Sequence, residues 1–198
     1  MQVITLRADA FEETVGRLAE MARSDISGRK IDAVVGVKRG GSIVCDAFCR
    51  HYPSSGYHLR TDVSLQRPST RCRGKWTRKI LKWLPLWVLN IMRIAEARLL
   101  ALTKSHYAEK PIPEIWLPPE LQECLNKQIN PLILIIDDAI DSGDTLFAIE
   151  QNIRNLNTTA EIKTAVVTVT TDSPRINADY AIYRNGTLVR FPWSDDFR

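Results

Sequence analysis

Three carboxylates lie between a run of apolar residues and a small polar turn in the second half of the chain. Residues 133–136 (Ile-Leu-Ile-Ile) are apolar and mostly β-branched, which predicts a strand buried on both faces, as in a parallel sheet. Asp137 and Asp138 follow, then the turn at residues 141–145, and then a helical run at residues 146–156. A helix N-terminus offers free backbone N–H groups, and a glycine before it lets a ligand approach closely, so the turn predicts an anion site.

The acidic pair Asp137 and Asp138 narrows the kind of ligand. Two carboxylates repel a bare phosphate, but they suit sugar hydroxyls and a hydrated divalent cation. The turn has neither the Gly-x4-Gly-Lys-Ser/Thr pattern of a P-loop nor the Gly-x-Gly-x-x-Gly pattern of a dinucleotide site. The residues therefore predict a phosphorylated sugar, with its hydroxyls on the strand side and its phosphate on the helix side. The alternative is an ordinary α/β strand end with acidic caps.

A second candidate anion site follows an earlier predicted strand at residues 31–37. Two cations and two glycines, Lys38, Arg39, Gly40 and Gly41, come directly before a short helix that Ser42 opens. The glycines free the backbone and the cations supply charge for a multiply charged phosphate. Such a turn is as often only solvated, but together with the first site it repeats the strand, glycine turn and helix of a parallel βαβ unit.

Residues 133–145 resemble the motif by which type I phosphoribosyltransferases bind 5-phosphoribosyl-1-pyrophosphate (PRPP): four apolar residues, two acids, two apolar residues, Asp or Thr, Ser or Thr, Gly, any residue and Thr. In that family the paired acids hold the ribose hydroxyls and the residues after them wrap the 5-phosphate. The loop at Lys38–Gly41 resembles the family's pyrophosphate-binding loop, which frequently carries a strained peptide. The resemblance implies transfer of the 5-phosphoribosyl group to a nucleobase-like acceptor, with Mg²⁺.

Carried over residue by residue, the resemblance assigns catalytic roles to Asp137, Asp138 and Asp141. Asp141 is the candidate general base or contact to the acceptor ring. The acidic pair is also the candidate Mg²⁺ site, directly or through water. The ribose and 5-phosphate would contact Asp137, Asp138, Asp141, Ser142, Gly143, Asp144 and Thr145, and the pyrophosphate would contact Lys38, Arg39, Gly40 and Gly41.

The last predicted strand ends on Phe191-Pro192-Trp193, which resembles the end of bacterial xanthine- and hypoxanthine-type enzymes of the family. This likeness implies a base-binding segment at Leu188, Val189 and Arg190. Two departures weaken the assignment of a 6-oxopurine. Leu188 stands where those enzymes place a stacking Trp, and residues 170–172 (Thr-Thr-Asp) stand where they place a Lys.

Residues 64–119 have no counterpart in the resemblance and form a predicted insertion. Residues 60–82 hold eight Lys and Arg against one acid, and the apolar positions after Pro85 keep helical spacing. Charges interrupt every 20-residue window, which argues against a transmembrane span. The apolar face predicts a helical hood or a homodimer contact; binding to a membrane surface or to nucleic acid are the alternatives.

The chain of 198 residues, with 25% charged and 44% hydrophobic residues, suits one soluble domain. Four scattered cysteines and no signal-peptide pattern predict a cytoplasmic protein with free thiols. We expect one α/β domain of the type I phosphoribosyltransferase kind, with a parallel sheet of about five strands flanked by helices, a helical insertion and a small hood. A second class of function stays open: a regulatory protein that senses PRPP or a nucleotide.

Overall fold

The computed structural model of the chain describes residues 2–65, 94–95, 112–113 and 115–194. Most of the predicted insertion at residues 64–119, with its basic stretch and its apolar helical spacing, lies outside the described residues. Among the described residues, no helix combines the length and the apolar character that crossing a membrane requires.

A parallel sheet of five strands forms the centre of the protein. The strands are β2 (Ile31–Val37), β3 (Tyr57–Val63), β4 (Leu132–Ile140), β5 (Glu161–Val169) and β6 (Tyr180–Tyr183). Their order across the sheet is β3-β2-β4-β5-β6, and every neighbouring pair is parallel. This arrangement confirms the prediction of a parallel sheet of about five strands. Two further strands, β1 (Gln2–Thr5) and β7 (Thr187–Arg190), pair in parallel as a small separate sheet.

Four α-helices are described: α1 (Ala8–Ile26), α2 (Gly40–His51), α3 (Pro119–Lys127) and α4 (Asp144–Leu156), besides a short 3₁₀ helix at Ser54–Gly56. They cover the two faces of the central sheet. Along β4, Leu134 and Ile136 are buried with α1 and α2, whereas Ile133 and Ile135 are buried with α3 and α4. The alternation follows the two-residue period of a strand and confirms that the apolar run is buried on both faces.

α1 begins with Arg7 at its cap position, and Asp9 lies in the first turn, where a carboxylate suits the helix dipole. The end of one strand differs from the sequence-based expectation. β4 continues through the acidic pair to Ile140, because Asp137 and Ala139 still pair with Val166 and Thr168 of β5. The ladder with β5 overrides the low strand propensity of aspartate.

Candidate functional site

The two loops that the sequence singled out meet at one edge of the central sheet. β2 and β4 are parallel neighbours, and Gly36 near the end of β2 pairs with Ile136 of β4. The chain leaves both strands at their carboxyl ends, so the loop after β2 and the acidic pair of β4 lie side by side. Ligands of open α/β sheets bind in this position.

The loop after β2 is held by β3 and by the start of α2. The Lys38 backbone N–H donates to the Val63 carbonyl oxygen at 2.9 Å, and the peptide bond between Lys38 and Arg39 is cis. Both cationic side chains are exposed. Arg60 ties α2 to β3, because its guanidinium lies 2.7 Å from Asp46 Oδ1 and 2.9 Å from Asp62 Oδ2. The loop therefore presents its cations at the surface on a fixed base.

Gly40 and Gly41 bring the backbone of this loop directly onto the acidic pair. A Cβ atom at Gly40 would lie 2.0 Å from Asp138 Oδ2, and a Cβ atom at Gly41 would lie 2.7 Å from Asp137 Oδ1. Side chains do not approach so closely, so only glycine fits at both positions in this arrangement. The glycines of the loop after β2 thus lie directly against the acidic pair of β4.

Within the acidic pair, Asp137 is buried and Asp138 is partly buried. Asp137 is 9% exposed, and its Oδ1 accepts the backbone N–H of Asp138 at 2.9 Å. Burial raises the pKa of Asp137 well above its usual range, and repulsion from Asp138 raises it further. Burial also raises the pKa of Asp138, although hydrogen bonds oppose that rise. A site of this kind favours a ligand that brings hydroxyl donors or a cation to the carboxylates.

Trp193, near the C-terminal end of the described residues, also contacts the acidic pair. Its Nε1–H donates to Asp138 Oδ2 at 3.4 Å. Its ring stacks on Phe191 with centroids 4.7 Å apart and meets the edge of Phe11 at 5.3 Å. These contacts place the C-terminal segment beside the acidic pair.

The turn between β4 and α4 has the geometry of an anion site. Gly143 adopts a left-handed conformation with φ of 80°, which a side chain would disfavour, and α4 starts at Asp144. The backbone N–H of Asp144 donates to Ser142 Oγ at 3.3 Å. Asp141 is exposed, and the Thr170 hydroxyl lies 2.5 Å from its Oδ1. The turn therefore places the positive end of the α4 dipole beside Ser142, which favours an anion there, while Asp141 lies on the exposed side.

Comparison with solved structures identifies known proteins with a similar fold. No protein-family model and no curated protein sequence matches the chain. A purine phosphoribosyltransferase of Pyrococcus horikoshii is similar over 98% of this chain and 95% of its own, with 19% identity and a TM-score of 0.57. The chain has the type I phosphoribosyltransferase fold.

Two other solved structures support the same conclusion. A xanthine-guanine-hypoxanthine phosphoribosyltransferase of Helicobacter pylori matches over 97% of this chain and 93% of its own, with 14% identity and a TM-score of 0.54. A hypothetical protein from Neisseria gonorrhoeae with bound ppGpp matches over 98% and 89%, with 14% identity and a TM-score of 0.55. At these identities the likeness establishes the phosphoribosyltransferase fold and leaves activity to be argued from the site.

The base-binding segment predicted at the C-terminus lies in β7 of the phosphoribosyltransferase fold. Leu188, Val189 and Arg190 are all buried, and β7 pairs with β1 along its length. The Arg190 guanidinium donates to Thr5 Oγ1 at 2.9 Å. A contact between this segment and a base stays a prediction.

No group of three or more His, Cys, Asp or Glu side chains placed to hold a metal occurs in the part of the chain that the structure describes. Asp137 and Asp138 nevertheless fit Mg²⁺, because Mg²⁺ keeps several of its waters and is held by one or two carboxylates together with substrate phosphates. Their mutual repulsion in a buried setting adds a reason to bind a cation.

Sequence reasoning missed two residues of this region. The sequence indicated Trp193 only through the C-terminal resemblance. No local sequence pattern predicts its hydrogen bond to Asp138. Arg175 was not considered, although its backbone N–H donates to the Ser142 carbonyl oxygen at 2.7 Å. Its position after a Ser-Pro pair shortly beyond β5 was the one available hint, because such a turn ends the strand near the edge that carries the site.

Proposed function

We propose that this protein transfers the 5-phosphoribosyl group of PRPP to a ring nitrogen of a nucleobase-like acceptor and releases pyrophosphate. The observation that carries the proposal is the contact between the loop after β2 and the acidic pair of β4. Gly40 and Gly41 lie so close to Asp138 and Asp137 that a Cβ atom at either glycine would fall within 2.7 Å of a carboxylate oxygen. A ligand bound there would touch a ribose-type site and a pyrophosphate-type site together, as PRPP requires.

Each part of the site has a task in this reaction. The bond between ribose C1 and the pyrophosphate oxygen breaks with its electron pair leaving on pyrophosphate, and the ring nitrogen bonds to C1. Asp137 and Asp138 hold the ribose hydroxyls, and residues 141–145 hold the 5-phosphate. Lys38 and Arg39 offset the charge of the departing pyrophosphate, which is the main source of rate enhancement open to the protein.

Asp141 serves the acceptor. It is the exposed carboxylate of the motif, and Thr170 fixes its orientation through a hydrogen bond. In this role its carboxylate takes the proton that the ring nitrogen loses as the new bond forms, which is general base catalysis. Mg²⁺ held by Asp137 and Asp138 together with PRPP would neutralise charge on the pyrophosphate.

The names of two structural neighbours favour a purine acceptor. One is a purine phosphoribosyltransferase and one acts on xanthine, guanine and hypoxanthine by name. Leu188 and Thr170 differ from the residues that the resemblance leads us to expect in 6-oxopurine enzymes, so the acceptor is best identified by assay. We further propose that the protein is a homodimer.

The decisive experiment measures pyrophosphate release from PRPP with Mg²⁺ against a panel of purines, pyrimidines and orotate. We expect turnover with at least one base, and loss of turnover in the double variant Asp137→Asn/Asp138→Asn with an unchanged fold. Near-normal turnover in the double variant would contradict the site assignment. Absence of turnover with every base, with intact PRPP binding, would favour the second candidate.

That candidate is a regulatory protein that binds PRPP or a nucleotide without turning it over. The Neisseria gonorrhoeae protein of similar fold carries bound ppGpp, which favours a nucleotide as ligand. The basic segment outside the described residues would then contact nucleic acid or a membrane surface. Competition between ppGpp and PRPP, and nucleic-acid binding that weakens steeply with salt, are the measurements that distinguish this function from the transferase.

A further inference from the structure

The turn that receives the 5-phosphate supplies no cation of its own. Residues 141–145 contain two carboxylates, Asp141 and Asp144, and neither Lys nor Arg. A phosphomonoester carries about −1.5 to −2 charges at pH 7. The amide groups of the turn and the dipole of α4 favour that charge, but the two carboxylates oppose it. A cation from elsewhere in the fold is needed to balance the site.

Arg175 is a cation that the fold holds at this turn. Its backbone N–H donates to the Ser142 carbonyl oxygen at 2.7 Å. The backbone nitrogen atoms of Arg175 and Ile176 lie so near Gly143 that a Cβ atom there would approach them at 3.1 and 2.9 Å. The start of the Arg175 side chain is thereby fixed against the predicted phosphate site.

The guanidinium of Arg175 forms an ion pair with Asp144 but no hydrogen bond to it. Its Nη1 lies 3.6 Å from Asp144 Oδ1, which is beyond hydrogen-bonding distance, and its Cζ lies 3.9 Å from the centre of the Phe147 ring. No described residue accepts a hydrogen bond from this guanidinium, and Asp144 Oδ1 is itself buried without a hydrogen-bond partner among the described residues. Arg175 therefore keeps its donors available beside the phosphate turn.

We propose that Arg175 is a phosphate-binding residue of this site, which turns from Asp144 to the 5-phosphate when a phosphorylated ligand binds. Asp144 and the Phe147 ring hold the guanidinium at the turn while the site is empty. The planar guanidinium can donate two parallel hydrogen bonds to a phosphate, which a lysine cannot. The inference rests on the proposed function, because it takes the turn to be the 5-phosphate site.

The test compares Arg175→Met, Arg175→Lys and Asp144→Asn with the wild-type protein. Arg29→Met is the matched control, because Arg29 is also an arginine paired with a carboxylate, Glu161, at the opposite end of the sheet. Calorimetry gives the Kd of PRPP and, separately, of a nucleoside 5-monophosphate and its unphosphorylated nucleoside. Each is measured from pH 5.5 to 7.5, because a phosphomonoester gains its second charge near pH 6.

We expect Arg175→Met to weaken PRPP and nucleotide binding about tenfold to a hundredfold, the loss that goes with one charge-assisted hydrogen bond. Nucleoside binding should stay unchanged, and the tightening of nucleotide binding between pH 5.5 and 7 should diminish. Arg175→Lys should recover part of the loss. Asp144→Asn should bind nucleotide more tightly than the wild type, since the competing carboxylate is gone.

Other outcomes overturn the inference in different ways. Equal binding by Arg175→Met and Arg29→Met, with wild-type protein that binds PRPP, would contradict the role of Arg175 alone. Equal weakening by Arg175→Met and Asp144→Asn would mean that the pair only maintains the shape of the turn. Wild-type protein that binds neither PRPP nor nucleotide would overturn both this inference and the proposed function.

Discussion

Replacing Gly40 by alanine tests the contact on which the proposed site depends. The new Cβ atom would lie 2.0 Å from Asp138 Oδ2 and 2.5 Å from its Cγ, whereas real Cβ contacts essentially never fall below 3.0 Å. The Asp138 carboxylate must therefore move by about 1 Å or rotate away. A displacement of about that size near the reacting atoms can cost roughly 100-fold in rate.

The same change should leave the protein folded. Overpacking costs about 1–3 kcal/mol, but the carboxylate is the end of a short side chain that can rotate. Gly40 is also the first residue of α2, where alanine regains up to about 1 kcal/mol of helix propensity. The net loss of unfolding free energy is then on the order of 0–3 kcal/mol, which lowers Tm by at most about 12 °C in a protein of this size.

The assay is pyrophosphate release from PRPP beside thermal unfolding, with Gly16→Ala as the control. Gly16 lies within α1, and a Cβ atom there would meet the His51 ring at 3.4–3.6 Å, an ordinary contact. Gly16→Ala should keep full activity and gain up to about 1 kcal/mol of stability. If Gly40→Ala kept wild-type kcat/KM while remaining folded, Asp138 would not need its present position and the reasoning would be wrong.

Three further predictions concern a carboxylate, an aromatic side chain and a thiol. Asp137→Asn should raise stability at neutral pH in the absence of ligand and Mg²⁺. Burial raises the pKa of Asp137 above its unfolded value, so the native state holds the proton longer and the wild type loses stability as pH rises through that interval. Urea unfolding from pH 4 to 8 should show this loss for the wild type and a smaller loss for the variant, in which Asp138 alone keeps a raised pKa. Trp193→Phe keeps the packing on Phe11 and Phe191 but loses the hydrogen-bond donor to Asp138. The value of kcat/KM should therefore fall about twofold to tenfold, with a change in Tm of a few degrees at most. An unchanged kcat/KM would mean that Trp193 is not part of the site. Cys49 should react with iodoacetamide before Cys45 and Cys124, with a rate that rises near pH 7. A hydrogen bond from Cys45 lowers the pKa of Cys49 to about 7, whereas the pKa values of the other two thiols are raised. Mass spectrometry of the alkylated peptides gives the order of reaction, and the reverse order would contradict the prediction.

The sequence predicted the parts of the site that depend on local pattern. Four apolar residues before an acidic pair indicated a strand buried on both faces, and the structure buries Ile133, Leu134, Ile135 and Ile136 completely. Glycine and polar residues before an apolar helical run indicated the turn at Gly143 and the start of α4. These features follow from propensity and periodicity within a few residues, which is why one sequence was enough to find them.

The contacts that shape the site were not predictable in this way. Trp193 and Asp138 are 55 positions apart, and their meeting depends on where the small sheet of β1 and β7 docks. The contact of Arg175 with Ser142 likewise depends on the path of the chain after β5. Tertiary packing sets such contacts, and no local pattern encodes it. Even the end of β4 was misjudged, because pairing with β5 extends the strand through residues that disfavour it.

The acidic pair itself is an argument that the site binds a ligand. Asp137 is buried and Asp138 is partly buried against the glycines of the loop after β2, and burial raises the pKa of both carboxyl groups. Burying like charges opposes folding, and apolar residues of similar size would stabilise a strand end that served only the fold. Lys38 and Arg39, in the loop that contacts these carboxylates, are exposed. Among the described residues they form no ion pair with the two carboxylates. A ligand with hydroxyl groups or a hydrated cation next to the carboxylates, and with phosphates next to Lys38 and Arg39, would give both sets of charges a partner. PRPP with Mg²⁺ has that distribution of groups.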